Sequence, residues 1–270
     1  MSKFKVGIVG CGNIGNYLAK FLDREEYFEL KALADIDRER ARNLANLLSS
    51  QPSVVSNLEL VDLVDLTIES ACPQVVPGLV RNTILKKRNI LVLSVGGLVS
   101  EPDLLDLIRK NKETQVYIPS GAIAGLDAVK AAAASGGIKK VTLTTTKPPK
   151  GLEGAPYIKD KNIDLFRINV PTVIFEGTAR EAINAFPKNI NVAISLSIAG
   201  IGPDMTIVKI VANPNTDVNS HEITVEGDFG KIETRTENVP CPFNPRSSYL
   251  AVLSTIALLK GMTSSLKLCY

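Results

Sequence analysis

Two groups of residues in this sequence could do chemistry, and they lie far apart in the chain. Near the start stands Gly10-Cys11-Gly12-Asn13-Ile14-Gly15, a G-x-G-x-x-G pattern, with Asp35 twenty residues beyond Gly15. Near the end stands His221, the one histidine of the chain. Glycines at that spacing let a backbone turn tightly and approach a pyrophosphate, whose charge then rests on the helix N-terminus that Asn13 and Ile14 open. A carboxylate at Asp35 accepts hydrogen bonds from the adenosine ribose hydroxyls. An ordinary glycine-rich turn shows the same pattern, so the context decides: a strand must precede the glycines and a helix must follow. Lys5–Val9 reads as the strand and Ile14–Leu22 as the helix. The expected cofactor is NAD, because a 2′-phosphate would meet the charge of Asp35. Arg38 and Arg40 otherwise read as a solvated helix start, and would accommodate NADP only by swinging onto that phosphate.

Hydride transfer from a carbon bearing OH or NH2 needs a group that takes a proton near neutral pH, and histidine is the usual supplier. In a period-two strand His221 shares a face with Ile223 and Val225, while Glu222, Thr224 and Glu226 share the other. That places the imidazole on an apolar side at a strand end, where a structural histidine and a catalytic one look alike. Lys147 precedes Pro148-Pro149, which would hold its side chain at a strand end to meet a substrate carboxylate or leave it as an exposed loop lysine. Asn189 and Asn191 flank a helix start, as caps or as amide contacts to nicotinamide or its ribose. Cys11 and Cys72 have no base beside them and read as packing residues. The cysteines at 11, 72, 241 and 269 have no zinc spacing, and no metal is expected.

Positioning these groups requires two kinds of architecture. Through residue 119, apolar runs at Lys5–Val9, Leu30–Ala34, Leu60–Ile68, Asn89–Leu93 and Val116–Ile118 alternate with helix-period stretches at Ile14–Leu22, Arg38–Leu48, Val75–Lys86 and Glu101–Lys110. Short apolar runs separated by helical segments are βαβ units feeding a parallel sheet covered on both faces. The pattern predicts a Rossmann-type, doubly wound α/β domain over 1–119. From residue 120 a small-residue segment and a helix through Ala134 give way to strand-like runs at Lys139–Thr146, Met205–Ala212, His221–Glu226 and Lys231–Val239. Helical stretches interrupt them at Thr178–Phe186 and Val192–Ala199, and Asp228-Phe229-Gly230 makes a hairpin turn. Residues 120–246 are therefore expected to form an α+β domain on a mostly antiparallel open sheet. A closing helix from Ser247 to Leu259, within 247–270, is expected to return to the first domain.

Composition narrows the function classes. At 270 residues, 45% hydrophobic and 22% charged, the chain can bury two cores without disulfides or metal. A net charge of +3, with no Lys/Arg run longer than three, lacks the footprint of a nucleic-acid binder. The longest apolar stretch, Tyr249 to Leu259, falls far short of the ~20 residues that span a bilayer. No signal-peptide pattern opens the sequence, so a soluble cytoplasmic protein is expected.

Longer strings are more specific than the glycine loop. They are Ser120-Gly121-Ala122-Ile123-Ala124-Gly125-Leu126-Asp127-Ala128, Lys147-Pro148-Pro149, Phe175-Glu176-Gly177, Ala179-Arg180-Glu181-Ala182, Phe186-Pro187-x-Asn189-x-Asn191-Val192-Ala193, His221-Glu222-Ile223, Glu237-Asn238-Val239-Pro240 and Asn244-Pro245-Arg246-Ser247-Ser248. Over nearly the whole chain the sequence resembles the L-aspartate dehydrogenases, NAD(P)-dependent enzymes linked to NAD biosynthesis. The resemblance implies oxidation of L-aspartate at Cα to iminosuccinate, which hydrolyses to oxaloacetate and ammonia or passes to quinolinate synthesis. It implies that His221 is the general acid or base, that Ala124 and Asn191 contact the cofactor, and that the protein is a homodimer whose open sheet serves subunit contact and substrate. It departs from the family at Thr146, where members often carry arginine, so another cation must meet the substrate. Two buried carboxylates need cations or N–H groups, and the candidates are Lys147, the Ser120-Gly121 backbone and Arg180, in declining order. Two rivals are other two-domain oxidoreductases. A dihydrodipicolinate reductase would carry paired histidines, and a homoserine dehydrogenase would be longer and carry a lysine–aspartate pattern. A third, a non-catalytic NAD-binding redox sensor, would bring a DNA-binding segment, and no such pattern is visible.

Overall fold

The computed structural model describes residues 3–187, 190–242 and 244–267. The chain divides into two compact units, Met1–Pro119 and Ser120–Tyr270. In the first, the chain runs β1 (Phe4–Val9), α1 (Asn13–Leu22), β2 (Phe28–Ala34), α2 (Arg38–Asn46), β3 (Ser53–Val54), α3 (Asn57–Leu63), β4 (Leu66–Glu69), α4 (Val76–Leu85), β5 (Asn89–Val92), α5 (Leu104–Lys110) and β6 (Val116–Tyr117). The strands form one sheet in the order β3-β2-β1-β4-β5-β6, with every pair parallel. Val6, Ile8, Leu30, Leu33, Leu66, Ile68, Ile90 and Leu91 are buried to 2% exposure or less, which is why these strands read as unbroken apolar runs. The order reverses between β1 and β4, and a crevice outside the carboxyl ends of those two strands is where such sheets bind ligands.

One apolar run divides differently from the expectation. Leu60–Ile68 is the end of helix α3 followed by the four-residue strand β4, rather than one long strand. Ser56 caps α3 in a reciprocal capping box with Glu59, which fixes the helix start at Asn57, three residues before Leu60. Leu60 and Val61 are buried on that helix, and a buried helix turn and a buried strand leave the same apolar trace.

The second unit continues with α6 (Leu126–Ala134), β7 (Ile138–Lys147), α7 (Pro156–Asp160), β8 (Thr172–Thr178), α8 (Ala179–Ala185), α9 (Asn191–Ala199), β9 (Thr206–Ala212), β10 (Asn219–Gly227), β11 (Gly230–Asn238), β12 (Pro240–Cys241), β13 (Asn244–Ser248) and α10 (Tyr249–Thr263). Five strands make a sheet in the order β11-β10-β7-β9-β8, in which only the β7–β9 pair is parallel. Gly227 pairs with Gly230 across the two-residue turn Asp228-Phe229, and Gly230 takes φ +115°. Edge strand β8 left little trace in the sequence, because Val173 and Glu176 stand exposed along it. The closing helix starts at Tyr249, because Asn244–Ser248 is drawn into a strand beside Pro240–Cys241. It packs against that strand pair within the second unit.

Alternation along β7 separates two faces. Val141, Leu143, Thr145 and Lys147 are buried, whereas Thr142, Thr144 and Thr146 are half-buried. Helices α6 and α9 cover the first face: a Cβ placed on Gly200, at the end of α9, would lie 3.5 Å from both Val129 of α6 and Val141 of β7. The second face carries Thr142, Thr144, Ile207, Lys209, Val211, Glu222 and Thr224, with Arg235 paired to Glu222 and Lys209 to Glu176. Among the described residues no helix is long and apolar enough to cross a membrane.

Candidate active site

One group of candidate residues is the turn from β1 into α1. Gly10 holds φ +97°, and a Cβ there would come within 2.7 Å of the Ala71 backbone. Gly12 is the N-cap of α1, and a Cβ on it would meet nothing within 4 Å, so the ground above the helix start is open. A Cβ on Gly15 would fall 1.8 Å from the carbonyl oxygen of Gly10, so only glycine lets the helix lie this close to its own loop. Asn13 and Ile14 are the first helical residues, whose N–H groups belong to the part of a helix that its own ladder does not satisfy. These features fit a dinucleotide pyrophosphate: an unobstructed helix N-terminus, with glycine wherever a side chain would intrude.

Asp35 follows the end of β2, its carboxylate 5% exposed. One oxygen accepts the backbone N–H of Cys11 at 2.7 Å and the other that of Asp37 at 2.8 Å. Arg40 stands 3.6 Å from Asp35 and 3.3 Å from Asp37, which itself caps α2 by accepting the Arg40 N–H. The two arginines thus occupy an exposed, capped helix start. Beside them Ile36 is fully exposed. Cys11 is buried, and burial followed by the Asp35 charge pushes its thiol up to about 12, which suits packing and not reactivity. Cys72 is half-buried at the start of a short turn, and Cys269 and Asn189 lie outside the described residues.

Glu69 gave no signal in the sequence beyond ending an apolar run. It closes β4, is fully buried, and accepts the Ala71 N–H at 2.8 Å, the Ser94 N–H at 2.9 Å and the Ser94 hydroxyl at 2.9 Å. Ser70 donates to the Gly10 carbonyl at 2.8 Å. The Glu69 carboxylate therefore joins the loops after β4 and β5, and the first of these rests on the glycine turn. Burial raises its pKa despite those donors.

Another group lies wholly in the second unit. His221 of β10 stands directly opposite Thr145 of β7, and its Nδ1 is 2.9 Å from the Thr145 hydroxyl. Two residues along β7 on the same face lies Lys147, buried, with its stem under Gly151 of the turn that follows the two prolines. Burial lowers the Lys147 ammonium to about 8. Burial first, and the Lys147 charge second, lower the His221 ring to about 4. On its other side His221 pairs with Thr236 of β11, whose hydroxyl donates to the Ala122 carbonyl at 2.8 Å. Asn238 also donates to Ala122 at 3.1 Å, and Thr234 to Ala124 at 3.2 Å, so β11 pins the small-residue loop. Gly121 and Gly125 adopt φ +67° and +83° in that loop, and Gly121 comes beside Val192 at the start of α9.

One contiguous patch therefore gathers Lys147, Thr145, His221 and the segment from Ser120 to Ala124, with Asn191 exposed at the start of α9 next to it. Thr146 belongs to the opposite sheet face, so an arginine there would not have joined this cluster through the strand. Arg180 is excluded by position. It forms an exposed pair with Asp204, two residues before β9, while Lys147 pairs with Ala212 at the far end of that strand. Six residues of strand separate those ends, about 20 Å. Among the described residues no three metal-ligating side chains gather.

Comparison with known proteins separates the two halves as the geometry does. Residues 10–119 match the family described as homoserine dehydrogenase, NAD binding domain, and residues 127–262 match aspartate dehydrogenase, C-terminal. An L-aspartate dehydrogenase of Methanococcoides burtonii is 49% identical over 97% of this chain and 98% of its own. One of Nitrosopumilus maritimus is 38% identical over 96% and 97%. Among solved structures, aspartate dehydrogenase from Thermotoga maritima is similar with a TM-score of 0.76 at 27% identity, covering 99% of this chain and all of the other.

Proposed function

This chain belongs to the L-aspartate dehydrogenase family, an oxidoreductase with an NAD(P)-binding domain, and from that premise we propose that it oxidises L-aspartate at Cα with His221 as the proton acceptor. The observation that carries the reading is the buried triad of His221, Thr145 and Lys147 beside the Ser120–Ala124 loop. The bound dinucleotide supplies the acceptor for the hydride that leaves Cα.

The chain's own residues supply the rest. Gly10, Gly12 and Gly15 clear the helix start for the pyrophosphate, Asn13 and Ile14 offer it their N–H groups, and Asp35 meets the ribose. The Asp35 carboxylate stands where a 2′-phosphate would sit, so NAD is favoured over NADP. Ala124 and Asn191 are the further cofactor contacts that membership of the family suggests. Lys147 matches one substrate carboxylate, and the Ser120 segment offers polar groups to the other. At neutral pH the His221 ring is neutral and ready to accept a proton at Nε2. A ring that holds a proton only near pH 4 is a weak base alone. The two carboxylates of bound aspartate favour the imidazolium, so the substrate strengthens the base it needs. Loss of a proton from the ammonium and of hydride from Cα leaves a C=N bond, iminosuccinate in its protonated form. Release and hydrolysis give oxaloacetate and ammonia, and the imine itself suits a role in NAD biosynthesis.

We place the enzyme in the cytoplasm as a homodimer, with the threonine- and valine-bearing sheet face as the surface a second copy covers. The deciding experiment is reduction of NAD with L-aspartate, D-aspartate, homoserine and glutamate, by the native enzyme and by His221→Ala. Turnover on L-aspartate alone, reduced about 10²-fold or more in the variant with cofactor binding intact, is expected for a lost general base. Turnover that survives the substitution would return His221 to a structural role.

A further inference from the structure

The hydroxyl of Thr145 is the partner of Nδ1 on the only histidine in the chain. Both residues sit on regular strands, opposite one another in an unbroken part of the β7–β10 ladder. Thr145 is fully buried and His221 is 4% exposed. A β-branched side chain holds few rotamers, so strand register and a stiff side chain fix the imidazole plane, with no loop involved. The other cross-strand neighbour, Thr236, already gives its proton to Ala122.

The chemistry of a hydroxyl here differs from that of the usual partner. A carboxylate or a carbonyl only accepts, so it fixes Nδ1–H and, when charged, raises the basicity of the ring. A hydroxyl accepts or donates by rotation and carries no charge. When it accepts from Nδ1–H, Nε2 presents a lone pair. When it donates to Nδ1, Nε2 presents an N–H. We propose that Thr145 is a positioning residue: its hydroxyl accepts from Nδ1–H, so that Nε2 takes the substrate's ammonium proton in aspartate oxidation and the imidazolium so formed returns it in the reverse, while Thr145 adds no charge of its own. The proposal rests on the catalytic reading of His221.

The surroundings agree. On the face of the ring, the charged neighbour is Lys147. Glu222 on the same strand, Arg235 and Glu237 on β11 and Lys209 on β9 alternate to the other sheet face, where Arg235 pairs with Glu222 and Glu237. Of the helices over the ring's face, α9 carries no charged residue, and Asp127 and Lys130 of α6 are exposed. Among the described residues of these elements no carboxylate stands in for the hydroxyl.

With a single histidine, one imidazole spin system reports the ring without assignment. The test combines ¹⁵N-imidazole NMR and pH profiles of kcat and KM in the native enzyme, Thr145→Ser, Thr145→Val and Thr145→Asp, with any histidine tag removed. The expected results are a ring that stays neutral from pH 5.5 to 8 and Thr145→Ser within about threefold of native kcat. Thr145→Val is expected to lose about 10- to 100-fold in kcat, part of the whole contribution of a general base, with little change in the KM for NAD. Thr145→Asp should raise the ring titration and carry the acid limb of kcat/KM upward with it. A Thr145→Val enzyme with native kcat overturns the proposal, as does a ring that titrates near 6.5 in the native protein. If Thr145→Asp does not fold, the serine and valine variants decide alone. Turnover surviving His221→Ala overturns the reading beneath the proposal, and the proposal with it. An inactive His221→Ala beside a fully active Thr145→Val overturns the proposal only.

Discussion

The carboxylate of Asp35 accepts the backbone N–H of Cys11 at 2.7 Å, which ties the residue that should meet the adenosine ribose to the middle of the glycine turn. One side chain thus has two duties. Cofactor selectivity and the shape of the pyrophosphate loop cannot be altered separately at this position.

Replacing Asp35 with serine should therefore fail as a simple switch from NAD to NADP. Loss of a charged hydrogen bond to the loop is worth about 1.5–3 kcal/mol, so the KM for NAD should rise roughly 10- to 100-fold. The KM for NADP should not improve in proportion, because the loop that binds both pyrophosphates is loosened. Steady-state kinetics with the two cofactors decides. A variant that gains NADP affinity while the NAD constant stays near native would show that the Cys11 bond carries no weight.

Glu69 leads to an unusual pH dependence. Its folded pKa lies above the ordinary 4.5 of a glutamate because burial disfavours the charged form. The folded state therefore binds more of this proton than the unfolded state does, and the contribution to stability falls as pH rises through that window. Relative to Glu69→Gln, the native protein should gain stability on acidification from neutrality toward pH 4.5. The glutamine has its own fault: it sets an NH2 group against either the Ser94 N–H or the paired donors at Ala71 and Ser94. Weaker NAD binding should follow, because the loop resting on Gly10 shifts. Melting temperature against pH for both proteins checks the sign, and a constant difference between them would exclude Glu69 as the titrating group.

These residues show why parts of the site were legible in the sequence and parts were not. The glycine turn and Asp35 were readable because strand, turn and helix are contiguous and each glycine answers a local demand, such as the 1.8 Å approach at Gly15. Lys147 and His221 were readable as candidates by residue type alone. Thr145 was not, because it lies within Thr144-Thr145-Thr146, which reads as plain strand preference. Only the pairing of β7 with β10 selects the middle threonine. Glu69 was hidden because a carboxylate at the end of an apolar run looks like a strand reaching solvent, and its burial depends on Ser94 in the next βα unit. Arg180 looked available until the parallel pairing of β7 and β9 set it at the opposite end of the sheet from Lys147.

Lys147 offers the sharpest pH signature. Burial lowers its ammonium to about 8, so in the free enzyme the charge that should hold a substrate carboxylate is lost as pH rises through that value. The kcat/KM for aspartate should accordingly fall above about pH 8, a limb that belongs to the free enzyme. The kcat profile should keep its plateau further, since a bound carboxylate beside the ammonium favours the charged form. Lys147→Met should raise the KM for aspartate at least tenfold and abolish this alkaline limb, leaving the KM for NAD in place. It should not lower the melting temperature at neutral pH, because burying the ammonium is itself unfavourable and a methionine of similar length fills the space under Gly151. The sign of the stability effect follows from the same shift. A lysine whose folded pKa lies below 10.5 binds less proton when folded, so its contribution to stability improves as pH rises from about 8 toward 10.5. Native enzyme and variant should therefore draw closer in melting temperature over that range, just where the native enzyme loses affinity for aspartate. Affinity and stability moving in opposite directions with pH is the mark of a buried cation kept for its ligand, and an unchanged KM in Lys147→Met would remove it from the substrate site.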